Sequence, residues 1–543
     1  MKLQRIPCIL SLPLPALLLC GCHTSATNER PPQNADSQTA TAPAAESAPA
    51  AAKTLPAHLQ AIVQNRKDRA PIDDISMVRP LVFVVSIPVD GFTYFLDSYN
   101  ALPNEERAAL NQDFPDFKPN FEIDFDGDGV YETQNALSFT YPKAGTYRVS
   151  IRGELAAIQI GYKEIMVMDA PPDKFKRPEP EVLDIQQWGD IRWKSMTDFA
   201  NNCKHLMISA TDTPDLTDVR SLAFMFANTE LMNADLSFWD ISNVTSLRGT
   251  FQNAKAFNQP LNDWDTSNVT DLTSTFEGAA AFNQPLDKWN VSKVTLMNRT
   301  FQHAYAFNQP LNDWDTSSIT ELEHAFWGAK SFNQPLDHWD VSHVTSFYET
   351  FRDAHAFNQP LEAWNVSSAR TFSGMFSGAA AFNQPLEAWN VSNVTSMWYM
   401  FEGAENFNQP LEKWDVSNVD NTNDMFSKAI RFNQPLNAWN TRSLKRMNHM
   451  FERAISFNQP LDAWDVSSVT EMYGAFDAAV SFNQPLDTWN VSEQAAKTAK
   501  DLLKGARSYA QKLPEWLPPQ DLQANDWWAN DKLKSLGRAQ ADK

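Results

Sequence analysis

The unit FNQPLNDWDTSNVTDLTSTFEGAAA, residues 257–281, recurs with variations over more than half of this chain and determines its architecture there. Its first five letters, FNQPL, occur ten times at one constant interval, beginning at Phe257, Phe282, Phe307 and so on to Phe482. A constant period of this length is typical of a solenoid, in which each unit buries its apolar face only against its neighbours. The repeat therefore predicts stacked turns in which each residue meets its own counterpart.

A single copy predicts one short strand and one short helix. Leu261 and Trp264 suit a strand, and the apolar residues from Val269 to Ala279 are spaced by three and four, as on one face of a helix. Stacking would align the tryptophans, the phenylalanines and the asparagines in ladders, with Asn258 and its counterparts bonded to the backbone of the neighbouring turn. The expected fold is an α/β repeat solenoid like that of leucine-rich repeats.

Composition and motifs limit the function. The 543 residues include 66 acidic and 45 basic ones, a formal charge of -21, which argues against binding to nucleic acid or to an anionic membrane surface. The sequence holds no G-x-S-x-G, H-E-x-x-H or phosphate-loop motif, so we expect no enzymatic activity. Asp and Asn exchange freely after the repeated tryptophan, as at Asp265 and Asn290, which indicates a turn acceptor and not a catalytic array.

The N-terminus predicts export and a lipid anchor. Residues 1–22 combine a short basic start with an apolar run too short to span a membrane. They end in Leu-Cys-Gly-Cys, which resembles the lipobox of bacterial lipoproteins and implies acylation of Cys22; a plain secretory signal is the alternative. Residues 23–58, rich in Ala, Pro, Ser and Thr, predict a disordered tether. The expected location is the bacterial cell envelope, lipid-anchored, and the exposed side of the outer membrane if two membranes are present.

The middle of the chain predicts further modules. Residues 59–173 alternate short β-rich runs with turns and predict a small all-β sandwich with one helix at 103–112. Within it, FEIDFDGDGVYET and FTYPKAGTYRVSIRG resemble PKD-type immunoglobulin-like domains. Residues 174–182 read as a linker, 183–516 as the solenoid with degenerate caps, and 517–543 as a tail.

One loop of the β-rich segment is a candidate calcium site. Asp124, Asp126, Asp128 and Glu132 alternate along it as oxygen ligands do in calcium loops. The loop lacks the full spacing of an EF-hand, so a plain hairpin turn is the alternative. The sequence predicts no other cofactor.

The most variable positions of the repeat are the candidates for recognition. They are the third and fourth residues after each Val-Thr, and several hold aromatic side chains, which are enriched at binding hot spots. Simple drift at exposed sites is the alternative. The candidate recognition face consists of Glu323, His324, Trp327, Tyr348, Trp398, Tyr399 and Tyr473.

The repeated motif FNQPLxxWxVSxVTxMxxMFxxA, over about residues 183–516, resembles the BspA-like leucine-rich-repeat family of bacterial surface lipoproteins. That resemblance implies a cell-surface protein that adheres to host proteins or to other bacteria, and it brings no catalytic residues. We therefore expect a non-enzymatic surface protein that recognises a protein partner. Two alternatives stay open: a glycan-binding protein that stacks sugars on its aromatic residues, and a purely architectural envelope protein.

Overall fold

The computed structural model describes residues 75–98, 102–161 and 179–536, all within one compact unit, Leu55–Lys543. The predicted signal peptide, Cys22, the tether and most of the linker lie outside the described residues. Within those ranges the protein is mostly β and turn structure with few helices. It consists of a β-rich part, residues 75–161, followed by a long repeat region.

The β-rich part is built on one large sheet and two small ones. Its strands are β1 Leu81–Ile87, β2 Phe92–Phe95, β3 Asp97–Ser98, β4 Asn120–Asp124, β5 Thr133–Gln134, β6 Ser138–Tyr141, β7 Gly145–Glu154 and β8 Ile158–Gln159. A 3-10 turn, Ile75–Met77, precedes them, and helix α1, Asn104–Asp113, confirms the helix predicted at 103–112. The pairs β2–β6 and β3–β8 form the small sheets.

The large sheet holds β1 at its centre because β1 is apolar along most of its length. Its sequence LVFVVSI is buried almost throughout, and it pairs with β7 on one side. The β2–β6 sheet is fixed against this core by two buried tyrosines. The Tyr94 hydroxyl donates to the carbonyl of Ile160 at 2.6 Å, and the Tyr141 hydroxyl donates to that of Phe125 at 2.8 Å. These two buried hydroxyls therefore keep partners, as most polar groups in a core do.

The large sheet continues into the repeat region. Strand β9, Glu181–Gln187, pairs antiparallel with β1, and strand β10, Met207–Ile208, pairs parallel with β9. The full strand order is β10-β9-β1-β7-β4-β5. Strand β9 covers the edge that β1 would otherwise expose, and it buries Val182 and Ile185. The sheet thus crosses the boundary that the sequence predicts between linker and solenoid, and one hydrophobic core runs from Leu81 to Leu517.

The prediction of a short strand and a short helix in each repeat is wrong. Between β10 and the next helix, residues 209–492 contain only turns and single bridges, such as Asp271 with Leu296 in parallel register. In the segment where the sequence predicts the helix, every second backbone N–H group donates to a carbonyl of the following repeat. The N–H of Ser274 donates to Asn298 O at 2.9 Å, and that of Phe276 to Thr300 O at 2.9 Å.

Backbone geometry explains why no helix forms. In a helix these carbonyls would accept N–H groups from the same segment. Here they accept N–H groups from the preceding repeat, and the carbonyl of Thr275 accepts the N–H of Phe251. Two positions per repeat also have positive φ, at Ser274 (56°) and Gly278 (68°), which a right-handed helix cannot contain. Leu272 and Phe276 still point inward and are buried, so a helical spacing of apolar residues arises without a helix.

The predicted side-chain ladders are confirmed. The ring of Phe276 lies 5.6 Å from Phe251 and 5.8 Å from Phe301, between centroids. The repeated tryptophans from Trp239 to Trp489 are only 3–6% exposed. The indole N–H of Trp289 donates to the carbonyl of Leu261 at 2.9 Å, so the buried indole keeps a partner. Stacking therefore forms the core and also provides hydrogen-bond partners for the indole N–H groups buried in it.

The asparagine ladder also forms as predicted. Asn258 Oδ1 accepts the backbone N–H of Asn283 at 2.9 Å, and Asn283 Oδ1 accepts that of Asn308 at 2.9 Å. The Asp or Asn after each tryptophan instead bonds within its own repeat, since Asp265 Oδ1 accepts the N–H of Ser267 at 3.0 Å. These residues hold the turns together, and that structural role accounts for their recurrence.

The C-terminal part adds two helices. Helix α2, Glu493–Thr498, is short, because the carbonyls of Lys500 and Leu502 accept N–H groups from the last full repeat. Helix α3, Trp527–Ser535, packs Leu533 against Ile430 and Ile455. The tail thus folds back onto the repeats.

Candidate recognition cleft

An open cleft of about 440 Å³ lies on the face that the sequence singles out. We call it the aromatic cleft. Three successive turns of the repeat region supply its lining. The lining residues are Tyr348, Glu349, Arg352, Ser373, Gly374, Trp398, Tyr399 and Glu402.

The cleft exists because its middle turn carries small residues. Ser373 and Gly374 occupy the positions that hold Tyr348-Glu349 in the turn before and Trp398-Tyr399 in the turn after. Backbones two turns apart are separated by roughly 10 Å if stacked turns keep strand spacing. Gly374 has φ 65°, and a Cβ placed there would lie 2.8 Å from Glu349 Cγ. A larger residue at 374 would therefore crowd the wall and fill the floor.

One wall is a buried network. His324 Nε2 lies 3.3 Å from Glu349 Oε2, and the Arg352 guanidinium also pairs with Glu349. Burial alone would raise the pKa of Glu349, but hydrogen bonds from His324 and Arg352 outweigh burial and hold that pKa below its usual value. Arg352 also lies over the ring of Trp327, with its guanidinium carbon 5.3 Å from the centroid. The Glu349 carboxylate of this wall is consequently paired on two sides.

The other wall is aromatic and open. The rings of Trp398 and Tyr399 lie 4.6 Å apart, and Trp398 is 38% exposed. Tyr399 has φ 57°, which is uncommon for an aromatic residue. Below them Glu402 accepts from Lys428 Nζ at 2.7 Å and from Ser377 Oγ at 3.3 Å. This wall offers flat apolar surface beside a carboxylate.

The structure separates the predicted recognition residues into groups. Tyr348, Trp398 and Tyr399 line the aromatic cleft, whereas Trp327 and the buried His324 lie behind its Glu349 wall. Glu323 accepts the hydroxyl of Ser346. Tyr473 is three repeats beyond Trp398 and bonds to Asp501 Oδ2 at 3.1 Å, so it does not belong to the cleft.

Sequence reasoning missed Arg352 and Glu402. Both lie three residues after the variable pair of their turn, in the same repeat position as Trp327. The alternation of positive-φ residues along the segment, at Glu349 and Asp353 in one turn, brings that position to the same surface. The recurrence of Gly, Asn and Asp at these positions was the available signal, because those residues tolerate positive φ best.

The predicted calcium ligands do come together. One oxygen from each of Asp124, Asp126, Asp128 and Glu132 lies within 4.8 Å of the others. Asp124 also accepts the backbone N–H of Gly127 at 2.7 Å and of Gly129 at 3.1 Å. Carboxylate oxygens suit calcium, and the same oxygens also brace a plain turn. Calcium binding at this loop stays a prediction.

Two half-buried carboxyls in later repeats predict a pH dependence of stability. Burial raises the pKa of Asp424 and of Asp477 to about 6. A carboxyl whose pKa is raised on folding stabilises the fold below its unfolded pKa, and that stability is lost as the pH rises through about 6. A hydrogen bond with Glu452 raises the pKa of His449, whose contribution is also lost as the pH rises.

We therefore expect a higher melting temperature at pH 5.5 than at pH 8. The lowered pKa of Glu349 and of Glu452 sets the acid limit, since that stability is lost only as the pH falls below about 4.5. Thermal unfolding followed by circular dichroism at both pH values measures the difference. Asp424→Asn combined with Asp477→Asn should reduce it. A melting temperature that is higher at pH 8 would contradict the assignment.

Comparison with curated proteins gives no significant match to the sequence. The solved structure described as "Crystal structure of TLR13-ssRNA13 complex" is similar over 61% of this chain and 62% of that chain, with 13% sequence identity and a TM-score of 0.18. This chain thus spans less than two thirds of that chain. None of the helices in the described ranges is long and apolar enough to cross a membrane.

The model of one family matches the repeat region three times in tandem, at residues 194–314, 297–413 and 399–516. Together these matches cover more than half of the chain. They coincide with the turns that carry the ladders and the aromatic cleft. The chain therefore belongs to the family described as "Mycoplasma protein of unknown function, DUF285".

Proposed function

We propose that this chain is a non-enzymatic recognition protein of the bacterial cell surface, and that it binds a protein partner at the aromatic cleft. In this proposal the repeat region is a leucine-rich-repeat-like solenoid of the BspA type. Parallel bridges between most pairs of adjacent repeats and the aromatic ladders support that reading. A rigid stack of this kind displays side chains along one face at fixed spacing.

One observation carries the proposal: Trp398, an aromatic residue that belongs to none of the buried ladders, is exposed at the cleft. Trp398 is 38% exposed, whereas Trp389 and Trp414 in the neighbouring ladder are 4% and 3% exposed. Exposed aromatic residues grouped around a depression are typical of binding hot spots. The stack does not need Trp398 for its core, so its exposure favours a role in binding a partner.

The proposed location rests on the N-terminal sequence. An acylated Cys22 would hold the protein at the membrane, and residues 23–58 would separate the folded part from it. A flexible chain of that length spans roughly 30–35 Å on average. The aromatic cleft would then stand clear of the lipid headgroups and accessible to a large partner.

Glycan binding is the second candidate, and the shape of the cleft favours it. A volume of about 440 Å³ falls within the usual range of small-ligand sites. Tyr348 and Trp398 could stack on a sugar ring that rests over Gly374, while Arg352 and Glu402 bond its hydroxyls. A pull-down and a glycan array, each run with the same variants, distinguish a protein partner from a glycan.

A pull-down with the full-length chain tests the proposal. We expect wild type to retain a protein from extracts of host matrix or of bacterial surfaces. Trp398→Ala combined with Tyr399→Ala should abolish that retention without lowering the melting temperature. Trp527→Ala is the matched control, because Trp527 is 75% exposed on α3 and away from the cleft. Equal retention by the double variant would refute the proposal, and Trp398-dependent binding on a glycan array alone would establish the second candidate.

A further inference from the structure

We infer that the group which enters the aromatic cleft is a basic side chain, arginine or lysine, in an extended segment of the partner protein. This inference rests on the proposed function and names the chemistry of the partner. It follows from the way in which the chain places its own cations on its own aromatic rings.

Two rings on this side of the repeat region already carry a cation. Arg352 lies over Trp327 with 5.3 Å between the guanidinium carbon and the ring centroid, and Lys330 lies over Tyr305 at 4.8 Å. In both pairs the cation occupies the position in the next repeat that is equivalent to that of the aromatic residue. An aromatic face attracts a cation electrostatically, and the attraction grows when water is excluded.

The rings of the cleft lack such a cation. The equivalent positions one repeat after Trp398 and Tyr399 hold Asn423 and Asp424. Among the described residues, no lysine or arginine lies over either ring. Trp398 thus presents an uncovered face beside a carboxylate, that of Glu402, where Trp327 presents a covered one.

Charge around the cleft favours the same group. Acidic side chains outnumber basic ones on this side of the turns. The acidic ones are Glu323, Glu349, Asp353, Glu402, Asp424 and Glu452, and the basic ones are Arg352, Lys428 and Arg453. The whole chain carries -21, which steers cationic partners toward it. A neutral sugar could use the rings and donate hydroxyls to the carboxylates, but it carries no charge that this acidic excess would attract.

Short labelled peptides test the inference on the full-length chain. The probe is a fluorescein-labelled peptide of alternating glycine and arginine, with glutamate and serine counterparts, measured by fluorescence anisotropy. We expect the arginine peptide alone to bind, and Trp398→Ala to weaken it about tenfold without any change in net charge. Trp527→Ala should bind like wild type. Because the chain attracts any cation, dependence on Trp398 is the decisive result.

Two matched pairs of variants distinguish binding at the aromatic cleft from the general attraction of a cationic peptide to this acidic chain. Glu402→Gln should weaken binding more than Glu412→Gln, which removes the same charge from an exposed position elsewhere. Asn423→Lys should place the chain's own cation over Trp398 and block the peptide, whereas Asn448→Lys in the next turn adds the same charge over no ring. Circular dichroism checks that each variant folds.

Arginine-peptide binding that is unchanged in Trp398→Ala would overturn the inference. If the pull-down still depends on Trp398 in that case, the recognition function stands and only the partner's chemistry is wrong. Displacement of the arginine peptide by neutral sugars but not by salt would also overturn it, in favour of a glycan.

Discussion

Phe376→Ala is expected to lower the free energy of unfolding by about 3–5 kcal/mol. The ring of Phe376 is fully buried and lies 4.0 Å from that of Phe382 in its own turn. It also stacks on Phe351 and on Phe401 in the adjacent turns, at 5.8 Å in each case. Removing it leaves a cavity at the centre of the stack, and ladder neighbours that are fixed by their own turns cannot collapse into it.

Urea unfolding of the full-length chain measures this loss. Phe95→Ala is the matched control, since Phe95 is 65% exposed on β2 and should change the stability by less than about 0.5 kcal/mol. Because each turn contacts only its neighbours, the cavity should also weaken the coupling between the two halves of the repeat region and broaden the transition. A Phe376→Ala chain as stable as the control would show that the ladder is not the core.

Gly189→Ala is the second large effect, with an expected loss of about 2–5 kcal/mol. Gly189 follows β9, where the β-rich part meets the first turns of the repeats, and it has φ 69°. A Cβ at this position would lie 2.3 Å from the carbonyl oxygen of Pro80 and 2.4 Å from that of Arg79. Both are backbone atoms that lead into β1, so the two parts would have to move apart.

Gly91→Ala separates the clash from the backbone strain. Gly91 has φ 72°, and a Cβ there would meet no atom within 4 Å. Only the cost of a positive φ, about 1 kcal/mol, should appear in this variant. The difference between the two alanine variants in thermal or urea unfolding reports the close approach at Pro80. Equal losses would mean that the junction is looser than the structure has it.

Periodicity made the ladders predictable from the sequence, because a fixed repeat forces like residues together whatever the backbone does. Trp264 and its counterparts, Phe276 and Asn258 all lie as expected. The local backbone was not predictable from the same pattern. Apolar spacings of three and four fit a helix, yet the N–H of Leu272 bonds to Leu296 in the next turn. Inter-turn bonding overrides local helix geometry, and apolar spacing alone does not reveal it.

The site was partly predictable for a similar reason. Variability and aromatic character drew attention to Tyr348, Trp398 and Tyr399, which do line one cleft. Spacing in sequence could not show that His324 is buried against Glu349, because that depends on which way each variable side chain turns. The aromatic cleft is open because Gly374 has no side chain, and a single glycine is a weak signal in a sequence.

Disulfide trapping tests the central claim, that successive turns stack with equivalent positions of adjacent repeats in register. The N–H of Thr295 donates to the carbonyl of Thr270 at 2.9 Å, so these two residues are neighbours across turns. Thr270→Cys with Thr295→Cys should form a disulfide under mild oxidation, identified by peptide mass mapping. Thr270→Cys with Thr320→Cys should not, since two turns separate these positions by roughly 10 Å. A bridge in the second pair but not in the first would contradict the account.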